Sequence, residues 1–457
     1  MGRTKPASTA AELNKRHSRS GTLGGWRLLP NRRLGRRFGG RDPLSGLAGL
    51  REDEAMVIGT SGPPEMVISR AEVPNRQNDF GTRRLTLVPA LDGFRGLAIL
   101  LVLLVHTEIE FIPSWVRFRG AFGVLDGGSL GVDLFFVLSG FLITALLLRE
   151  GPDHGHADLR SFYRNRALRL LPAVVVMLAG VLTFTWLTGE SMKGEVESAL
   201  FSFFYLANWQ SNWNPHVSLH FGHLWSLSVE EQFYLVWPAV LVLVFGLRRN
   251  IRFVTIGLVA LIAVIAIRRA LLWRSGYGYA ALYEHTDTRA DSLLVGALVG
   301  CLWVRRMTPT RGLRVAAWMA SGVLLACVAF ARAARAAYFP PANGFLYEGG
   351  FVVVAVASAC IILAVVDGRW SGTRVFEARP LRALGRVSYG LYLWHVPVFL
   401  EVASHTEHWA IVPKVALAWA IAFTLTIASW KFVERPFLRL KRHGSSSSEH
   451  ATLGAAG

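Results

Sequence analysis

The sequence predicts an all-α protein, a polytopic helical membrane bundle with about ten transmembrane helices. The chain has 457 residues, of which 52% are hydrophobic and only 18% are charged, whereas soluble domains carry about 25% charged residues. The charges lie in short clusters between long apolar runs, such as residues 174–187 and 352–366. Runs of this kind recur along the chain, as they do in proteins that cross the bilayer many times.

Composition divides the chain into three regions. Residues 1–84 are rich in Arg, Gly, Pro and Ser and show no sustained apolar period, so they are predicted to be a disordered basic cytosolic tail. Residues 85–440 form the predicted transmembrane domain, and residues 441–457 are predicted to be a second disordered tail. The first apolar run begins too late for a cleavable signal peptide, so the first span is expected to stay in the membrane.

The positions of Lys and Arg predict the orientation of the spans. The strongly basic loops all fall on the cytosolic side if the N-terminus is inside, which places both termini there. This arrangement explains the net charge of +18 without a nucleic-acid partner. The short apolar segment 200–206 is predicted to be re-entrant or interfacial. The ten spans are expected at residues 95–113, 129–148, 167–188, 225–247, 252–272, 290–304, 313–331, 348–366, 386–403 and 411–431.

Neither a disulfide framework nor a metal site is predicted. Cys301, Cys327 and Cys360 all fall within predicted spans and show no CxxC spacing, so they are interpreted as small core residues. His154 and His156 lie in a polar loop without a third ligand nearby, which favours solvent exposure over metal binding. No metal cofactor is therefore expected.

The first span carries two polar residues that a membrane tolerates poorly. Arg95 and His106 are eleven residues apart, so they lie on nearly the same helical face, about 16 Å apart along the axis. An arginine near the inner surface suits a ligand with a phosphate group, and a buried neutral histidine suits general-base chemistry. A boundary arginine and a satisfied buried histidine remain open as structural explanations.

A polar stripe opens the fourth span. His223, Ser226, Glu230 and Tyr234 share one helical face, while Glu231 points about 100° away from Glu230. The two carboxylates are therefore expected to have different partners, with Glu230 as the catalytic candidate and Glu231 in a structural role. Acidic residues at a helix N-terminus are also favoured by the macrodipole alone, so a structural explanation stays open for both.

Two arginines at the start of the third span are candidates for phosphate binding. Arg166 and Arg169 are three residues apart and share a face, and such a pair can grip a pyrophosphate. Ordinary positive-inside flanking of the span also explains these residues, and this structural explanation is stronger here than for any other candidate in the chain.

The remaining polar residues in the spans are interpreted as structural. Asp133 is expected to pair with an arginine, and Gly140 is expected to allow close helix approach. The aspartates of residues 287–291 are expected to neutralise Arg289 within their own helix start. A further face, also interpreted as hydrogen-bonding, consists of Ser388, Tyr392 and His395.

Seven stretches of the chain, in order, read LDGFRGLAILLVLLVH, GVDLFFVLSGFLI, FYRNRALRLLP, HLWSLSVEEQFYLVWP, DTRADSLLVGAL, LGRVSYGLYLWHVPV and VERPF. Together they resemble the acyltransferase 3 family, integral-membrane O-acyltransferases that modify bacterial surface sugars, lipids and some macrolides. The resemblance covers about residues 86–440. The seven stretches in this order are highly specific, although each alone is a modest signal.

The resemblance implies transfer of an acyl group, usually acetyl from acetyl-CoA, to a hydroxyl. The family's basic residue and histidine of the first helix fall on Arg95 and His106, and its Arg-x-x-Arg pair falls on Arg166 and Arg169. The resemblance thus implies that the arginines hold the CoA phosphates while the CoA arm extends toward His106. His106 would be the general base for the acceptor hydroxyl, or alternatively would carry the acyl group itself.

The resemblance also implies acceptor contacts. The family's Trp-Ser-Leu-Ser-Val-Glu stretch falls on residues 225–230, so Glu230 would orient His106 or bind the acceptor. Further acceptor contacts are expected from His223, Trp225 and Ser228. The acceptor itself, a hydroxyl-bearing glycan, glycolipid or macrolide, is not encoded by any single motif.

Two other functions use the same features. A transporter or flippase of a lipid-linked sugar would use the intramembrane charges as a substrate path. A membrane component without catalytic activity would anchor partners through the basic N-terminal tail.

Overall fold

The computed structural model describes residues 88–112, 127–150, 159–213, 218–246, 251–305, 312–329 and 344–439. Every regular element within these ranges is helical, which confirms the predicted all-α class. Both predicted tails lie outside the described residues. The α-helices are α1 Pro89–Phe111, α2 Gly131–Glu150, α3 Leu159–Thr188, α4 Met192–Phe203, α5 Trp225–Gly246, α6 Ile251–Arg274, α7 Tyr279–Tyr283, α8 Thr286–Val304, α9 Leu313–Ala329, α10 Phe351–Asp367, α11 Thr373–Phe376, α12 Arg379–Arg386, α13 Ser388–His405 and α14 Ile411–Ser429.

Six helical segments of the described chain are long and apolar enough to cross a membrane. The segments are Pro89–Phe111, Gly127–Arg149, Leu159–Thr188, Arg252–Arg274, Leu346–Asp367 and Ile411–Arg439. The prediction of ten spans is not confirmed and stays a prediction. The other four predicted spans correspond to α5, α8, α9 and α13, of which α9 is apolar but short.

Helices α1, α3 and α8 begin several residues earlier than the predicted spans. The shifts of α1 and α3 place functional candidates inside regular helix. Helix α1 begins at Pro89, where proline is favoured because the first helical N–H has no partner. Arg95 therefore lies in the second turn of α1. Helix α3 begins at Leu159, so Arg166 and Arg169 also project from an ordered helical surface.

Helices α2 and α8 approach each other closely through small residues. A Cβ atom on Gly140 would lie 2.0 Å from the carbonyl oxygen of Leu293, and one on Gly296 would lie 2.1 Å from that of Val137. Any larger residue at these two positions would force the helices apart. The predicted role of Gly140 in close helix approach is confirmed.

Buried ion pairs join α2, α6 and α8. Both carboxylate oxygens of Asp133 lie 3.0 Å from Nη2 of Arg289, which confirms the predicted arginine partner of Asp133. Asp291 pairs instead with Arg269 of α6, at 2.8 Å. The prediction that the 287–291 cluster neutralises itself is therefore wrong, because residues two apart on a helix point in different directions.

The segment between α3 and α5 folds back on itself. Helix α4 has 12 residues, about 18 Å, which is too short to cross the hydrocarbon core of about 30 Å. After α4 the chain turns at Tyr205, a non-glycine residue with φ of 55°, and Gln232 of α5 donates a 2.8 Å hydrogen bond to its carbonyl. This geometry agrees with the predicted re-entrant or interfacial segment. Two short 3₁₀-helices, Ala207–Asn212 and Leu219–Leu224, lead from the turn to α5.

Candidate active site

A polar cavity of about 140 Å³ lies among α1, α2, α3, α5 and α13. Its charged lining consists of Arg95, Arg166, Arg169 and Glu230. Further lining residues come from α5 and α13 at helical spacing, namely Ser226, Tyr234, Ser388 and Tyr392. The predicted stripe on α5 is therefore confirmed from Ser226 onward, because residues four apart on a helix face the same way.

The three arginines of the cavity are not equivalent. Arg166 donates two hydrogen bonds to Glu231, of 3.0 and 2.5 Å, and its guanidinium lies 3.2 Å from the ring centroid of Tyr234. Arg95 makes a single 3.4 Å contact with Asp92. Arg169 has no salt bridge among the described residues, and the carboxylate that acts on it electrostatically is that of Glu434. Two of the three guanidinium groups thus retain donors for an anionic ligand, whereas the charge of Arg166 is already compensated.

The adjacent glutamates have different partners, as expected. Glu230 accepts a 2.7 Å hydrogen bond from Ser139 of α2, and Glu231 pairs with Arg166 of α3. Because successive residues of a helix diverge by about 100°, only Glu230 lines the cavity. The Glu230 carboxylate is therefore the acidic group available to a ligand there.

Three imidazole rings form a cluster beside the cavity. The ring centroids of His106 and His395 are 4.8 Å apart, and those of His395 and His223 are 5.2 Å apart, each pair in a T-shaped arrangement. Nδ1 of His106 lies 2.9 Å from the carbonyl oxygen of Val102. Since a carbonyl oxygen only accepts, Nδ1 carries the proton and Nε2 of the neutral ring has a free lone pair. His106 therefore presents a basic Nε2.

Tyr392 connects the arginine cavity to the imidazole cluster. Its side chain lines the cavity, while its ring centroid is 5.4 Å from that of His223 and 5.5 Å from that of His395. Its hydroxyl donates a 2.7 Å hydrogen bond to the carbonyl of His223 and also contacts the hydroxyl of Ser226. The cavity and the cluster are therefore adjacent parts of one site.

The structure separates the three predicted acceptor-binding residues. His223 belongs to the imidazole cluster. Trp225 is buried against Phe136 and Tyr283, with ring centroids 6.1 and 5.0 Å away. Ser228 is buried and donates to the carbonyl of Leu224 at 3.0 Å. Neither Trp225 nor Ser228 lines the cavity.

Sequence reasoning did not assign His395 and Tyr392 to the site. The available signal was their shared helical face with Ser388, which had been interpreted as structural hydrogen bonding. Within the described ranges, no group of three or more His, Cys, Asp or Glu side chains is arranged to hold a metal ion.

The known proteins and the family model that this chain resembles are all described as acyltransferases. The sequence model of the acyltransferase 3 family, described as an acyltransferase domain, matches residues 88–432. The peptidoglycan O-acetyltransferase OatA of Listeria monocytogenes is 33% identical over 366 residues, which cover 76% of this chain and 55% of the relative. The putative peptidoglycan O-acetyltransferase YrhL of Bacillus subtilis is 32% identical, covering 76% and 54%.

A putative O-acetyltransferase of Staphylococcus aureus is also 32% identical, over 78% of this chain and 58% of the relative. The chain thus spans a little over half the length of these curated relatives. No solved structure matches the chain.

Proposed function

Since the chain belongs to the acyltransferase 3 family and is a multi-pass membrane protein, we propose that it is a membrane O-acetyltransferase. In this proposal it transfers acetyl from acetyl-CoA to a hydroxyl of a cell-wall carbohydrate. The observation that carries the proposal is the arginine cavity next to the imidazole cluster, with Tyr392 shared between them. This arrangement supports a proposal in which an anionic donor and a proton-transfer group share one site.

The donor is proposed to bind with its phosphates at Arg95 and Arg169. Arginine is well suited to phosphate because its planar fork donates in a bidentate manner. Arg166, already paired with Glu231, adds a wall of the cavity and a smaller share of the attraction. The arm of acetyl-CoA then extends along α1, over the roughly 16 Å that separate residues 95 and 106 on a helix, toward His106.

The reacting group is proposed to be Nε2 of His106. Its free lone pair either takes the proton of the acceptor hydroxyl as a general base or attacks the thioester to form an acyl-histidine. Glu230, on the cavity wall, orients the reacting groups or binds the acceptor. Of the three predicted acceptor contacts, His223 is the one whose side chain lies in the imidazole cluster, so it is the proposed acceptor contact.

The proposed topology has ten spans and both termini in the cytosol. In this orientation the N-terminal turns of α1, which carry Arg95, lie near the cytosolic surface, where acyl-CoA is found. The acceptor is proposed to be a carbohydrate because relatives are named peptidoglycan O-acetyltransferases. Glycolipids and macrolides are the alternative classes of acceptor.

The proposal is tested in cells that lack the gene and are complemented with the wild type or with His106→Ala. We expect mass spectrometry of cell-wall fragments to show O-acetylated sugars with the wild type and none with the variant, at equal amounts of protein in the membrane. His408→Ala, an exposed histidine, is the matched control and should behave as wild type.

Full acetylation in His106→Ala cells would exclude the assignment of His106. Loss of acetyl groups from lipids or secreted metabolites instead of cell-wall sugars would replace the proposed acceptor. Sugar movement across the membrane without consumption of acetyl-CoA would favour a transporter or flippase.

A further inference from the structure

His395 of α13 is a fully buried histidine whose ring is fixed by the main chain. Its relative exposure is 0%, and Nδ1 lies 3.0 Å from the carbonyl oxygen of Leu391 and 2.8 Å from that of Tyr392. Both neighbours are acceptors, so Nδ1 must carry the ring proton. In the neutral ring, Nε2 is then an acceptor with a free lone pair.

This lone pair has no partner within the part of the chain that the structure describes. Nε2 of His395 is buried and makes no hydrogen bond. Buried polar atoms in native proteins are nearly always paired, so an orphaned acceptor beside a polar cavity calls for an explanation, and a ligand or a catalytic role is one. Because Nε2 can only accept, the group that completes it must be a donor, such as a hydroxyl.

His395 lies directly against the proposed reacting group. The ring centroids of His106 and His395 are 4.8 Å apart, with the ring planes at 86°. His106 has the same tautomer, since its Nδ1 lies 2.9 Å from the carbonyl oxygen of Val102. Two adjacent imidazole rings therefore each have a basic Nε2.

One imidazole cannot perform both tasks of a two-step transfer in this arrangement. If Nε2 of His106 carries the acyl group, its Nδ1 remains committed to the carbonyl of Val102 and no lone pair is left on that ring. The acceptor hydroxyl then needs a separate base, and His395 is the histidine with an unpaired Nε2 whose ring contacts that of His106. We propose that His395 is the general base for the acceptor hydroxyl and that His106 carries the acyl group. This inference rests on the proposed function.

The two steps balance in atoms and charge. In the first, Nε2 of His106 attacks the thioester carbonyl, the carbon–sulfur bond breaks, and CoA leaves as a thiolate from an acyl-imidazolium. In the second, the hydroxyl oxygen attacks the acyl carbon, its proton moves to Nε2 of His395, and the carbon–nitrogen bond breaks. The proton on His395 returns to solvent and the thiolate takes one up, so the products are the ester and CoA.

The two half-reactions can be measured separately with the full-length protein in lipid nanodiscs. Exchange of labelled CoA into acetyl-CoA reports the first step, and acetylation of soluble peptidoglycan fragments reports both steps. The central variant is His395→Asn, whose amide can donate near the position of Nδ1 but offers no base at the position of Nε2. His106→Ala is the comparison variant.

We expect His395→Asn to keep wild-type CoA exchange and to lose transfer by about 10²–10⁴-fold, the usual contribution of general-base catalysis. His106→Ala should lose both activities. Retained exchange also demonstrates that the His395→Asn protein is folded and binds its donor.

Each other outcome overturns the inference. Undiminished transfer by His395→Asn would show that His395 is not a base, and joint loss of exchange and transfer would make it a positioning residue instead. Wild-type transfer without any CoA exchange would exclude an acyl-histidine while leaving the proposed function intact. A wild-type protein with neither activity on any acceptor class would mean that the proposed function itself is wrong.

Discussion

At the scale of single residues, Glu230 and Glu231 show how one step along a helix separates two roles. Glu230 faces the cavity and accepts a hydrogen bond from Ser139, while Glu231 accepts hydrogen bonds from Nε and Nη2 of Arg166. Removing one partner of a largely buried ion pair is strongly destabilising, because the other charge is left buried without compensation. The same substitution is therefore expected to affect activity at Glu230 and stability at Glu231.

Glu230→Gln and Glu231→Gln form a matched pair of isosteric substitutions. We expect Glu230→Gln to reduce acetyl transfer by about 10²-fold or more with little change in thermal unfolding. Glu231→Gln should lower the free energy of unfolding by about 3–5 kcal/mol, because Arg166 is left unpaired. Transfer assays and thermal unfolding in detergent check both expectations, and the reverse pattern would contradict the assignment.

Helical spacing predicted which side chains share a face, and this was enough to bring Ser226, Glu230 and Tyr234 together at one cavity. It could not predict partners from other helices. Ser139 and Glu230 are separated by 91 residues, a contact that depends on how α2 packs against α5. The imidazole cluster was missed for the same reason, since His106, His223 and His395 come from three separate segments.

At the scale of elements, the segment between α3 and α5 is attached to α13 through one histidine. His220, in the 3₁₀-helix Leu219–Leu224, contacts Glu195 of α4 through Nδ1 at 3.1 Å and Glu401 of α13 through Nε2 at 2.7 Å. His405 also faces Glu401, at 3.5 Å. His223 lies one 3₁₀ turn after His220, so this attachment also supports the imidazole cluster.

The hydrogen bond to Glu195, together with the charges of both carboxylates, raises the pKa of His220 above its ordinary value, against the opposing effect of burial. The pKa of Glu195 is lowered. Burial acts to raise this pKa, but the hydrogen bonds from His220 and Ser218 outweigh the effect of burial. A raised histidine pKa stabilises the fold below the unfolded value of about 6.5, and this contribution disappears as pH rises through the folded value.

Thermal unfolding of the wild type and His220→Gln should therefore differ most near and below pH 6.5. We expect the difference to shrink as pH rises through the raised pKa of His220, and again at acidic pH where Glu195 becomes protonated. His408→Gln, an exposed histidine, is the control and should follow the wild type. A difference that is constant across this pH range would contradict the charged bridge.

At the scale of the whole molecule, the basic loops predict which side of the membrane each helix end occupies. Helices α1 and α13 run in the same direction, since His106 contacts His395 and, one turn on, Phe111 contacts Phe399. Their N-terminal ends therefore share a side with the arginine cavity. The proposed topology makes this side cytosolic.

Single cysteines test the topology in a background where Cys301, Cys327 and Cys360 are replaced by alanine. A cysteine at exposed Asn212 should react with an impermeant maleimide in intact cells. A cysteine at exposed Ser371 should react only after permeabilisation, because the positive-inside rule places the basic 369–386 region in the cytosol. The opposite labelling pattern would invert the proposed orientation.

Hydropathy identifies six of the ten predicted spans as helices that are long and apolar enough to cross a membrane. It is a weaker guide for α8, which contains Asp287, Arg289 and Asp291. The charges of Arg289 and Asp291 are compensated by residues on α2 and α6, at distances in sequence that no local pattern encodes.

These buried pairs have a consequence for biosynthesis. Arg289 and Asp291 lie in the first two turns of α8 and are fully buried, and a buried charge without its partner is costly, so α8 alone is expected to enter the bilayer poorly. Asp133 and Arg269 belong to helices that are synthesised earlier, and both are available when α8 leaves the ribosome. Helix α8 is therefore expected to insert into the bilayer together with α2 and α6, which carry its ion-pair partners. The order of synthesis would then guide assembly of the bundle.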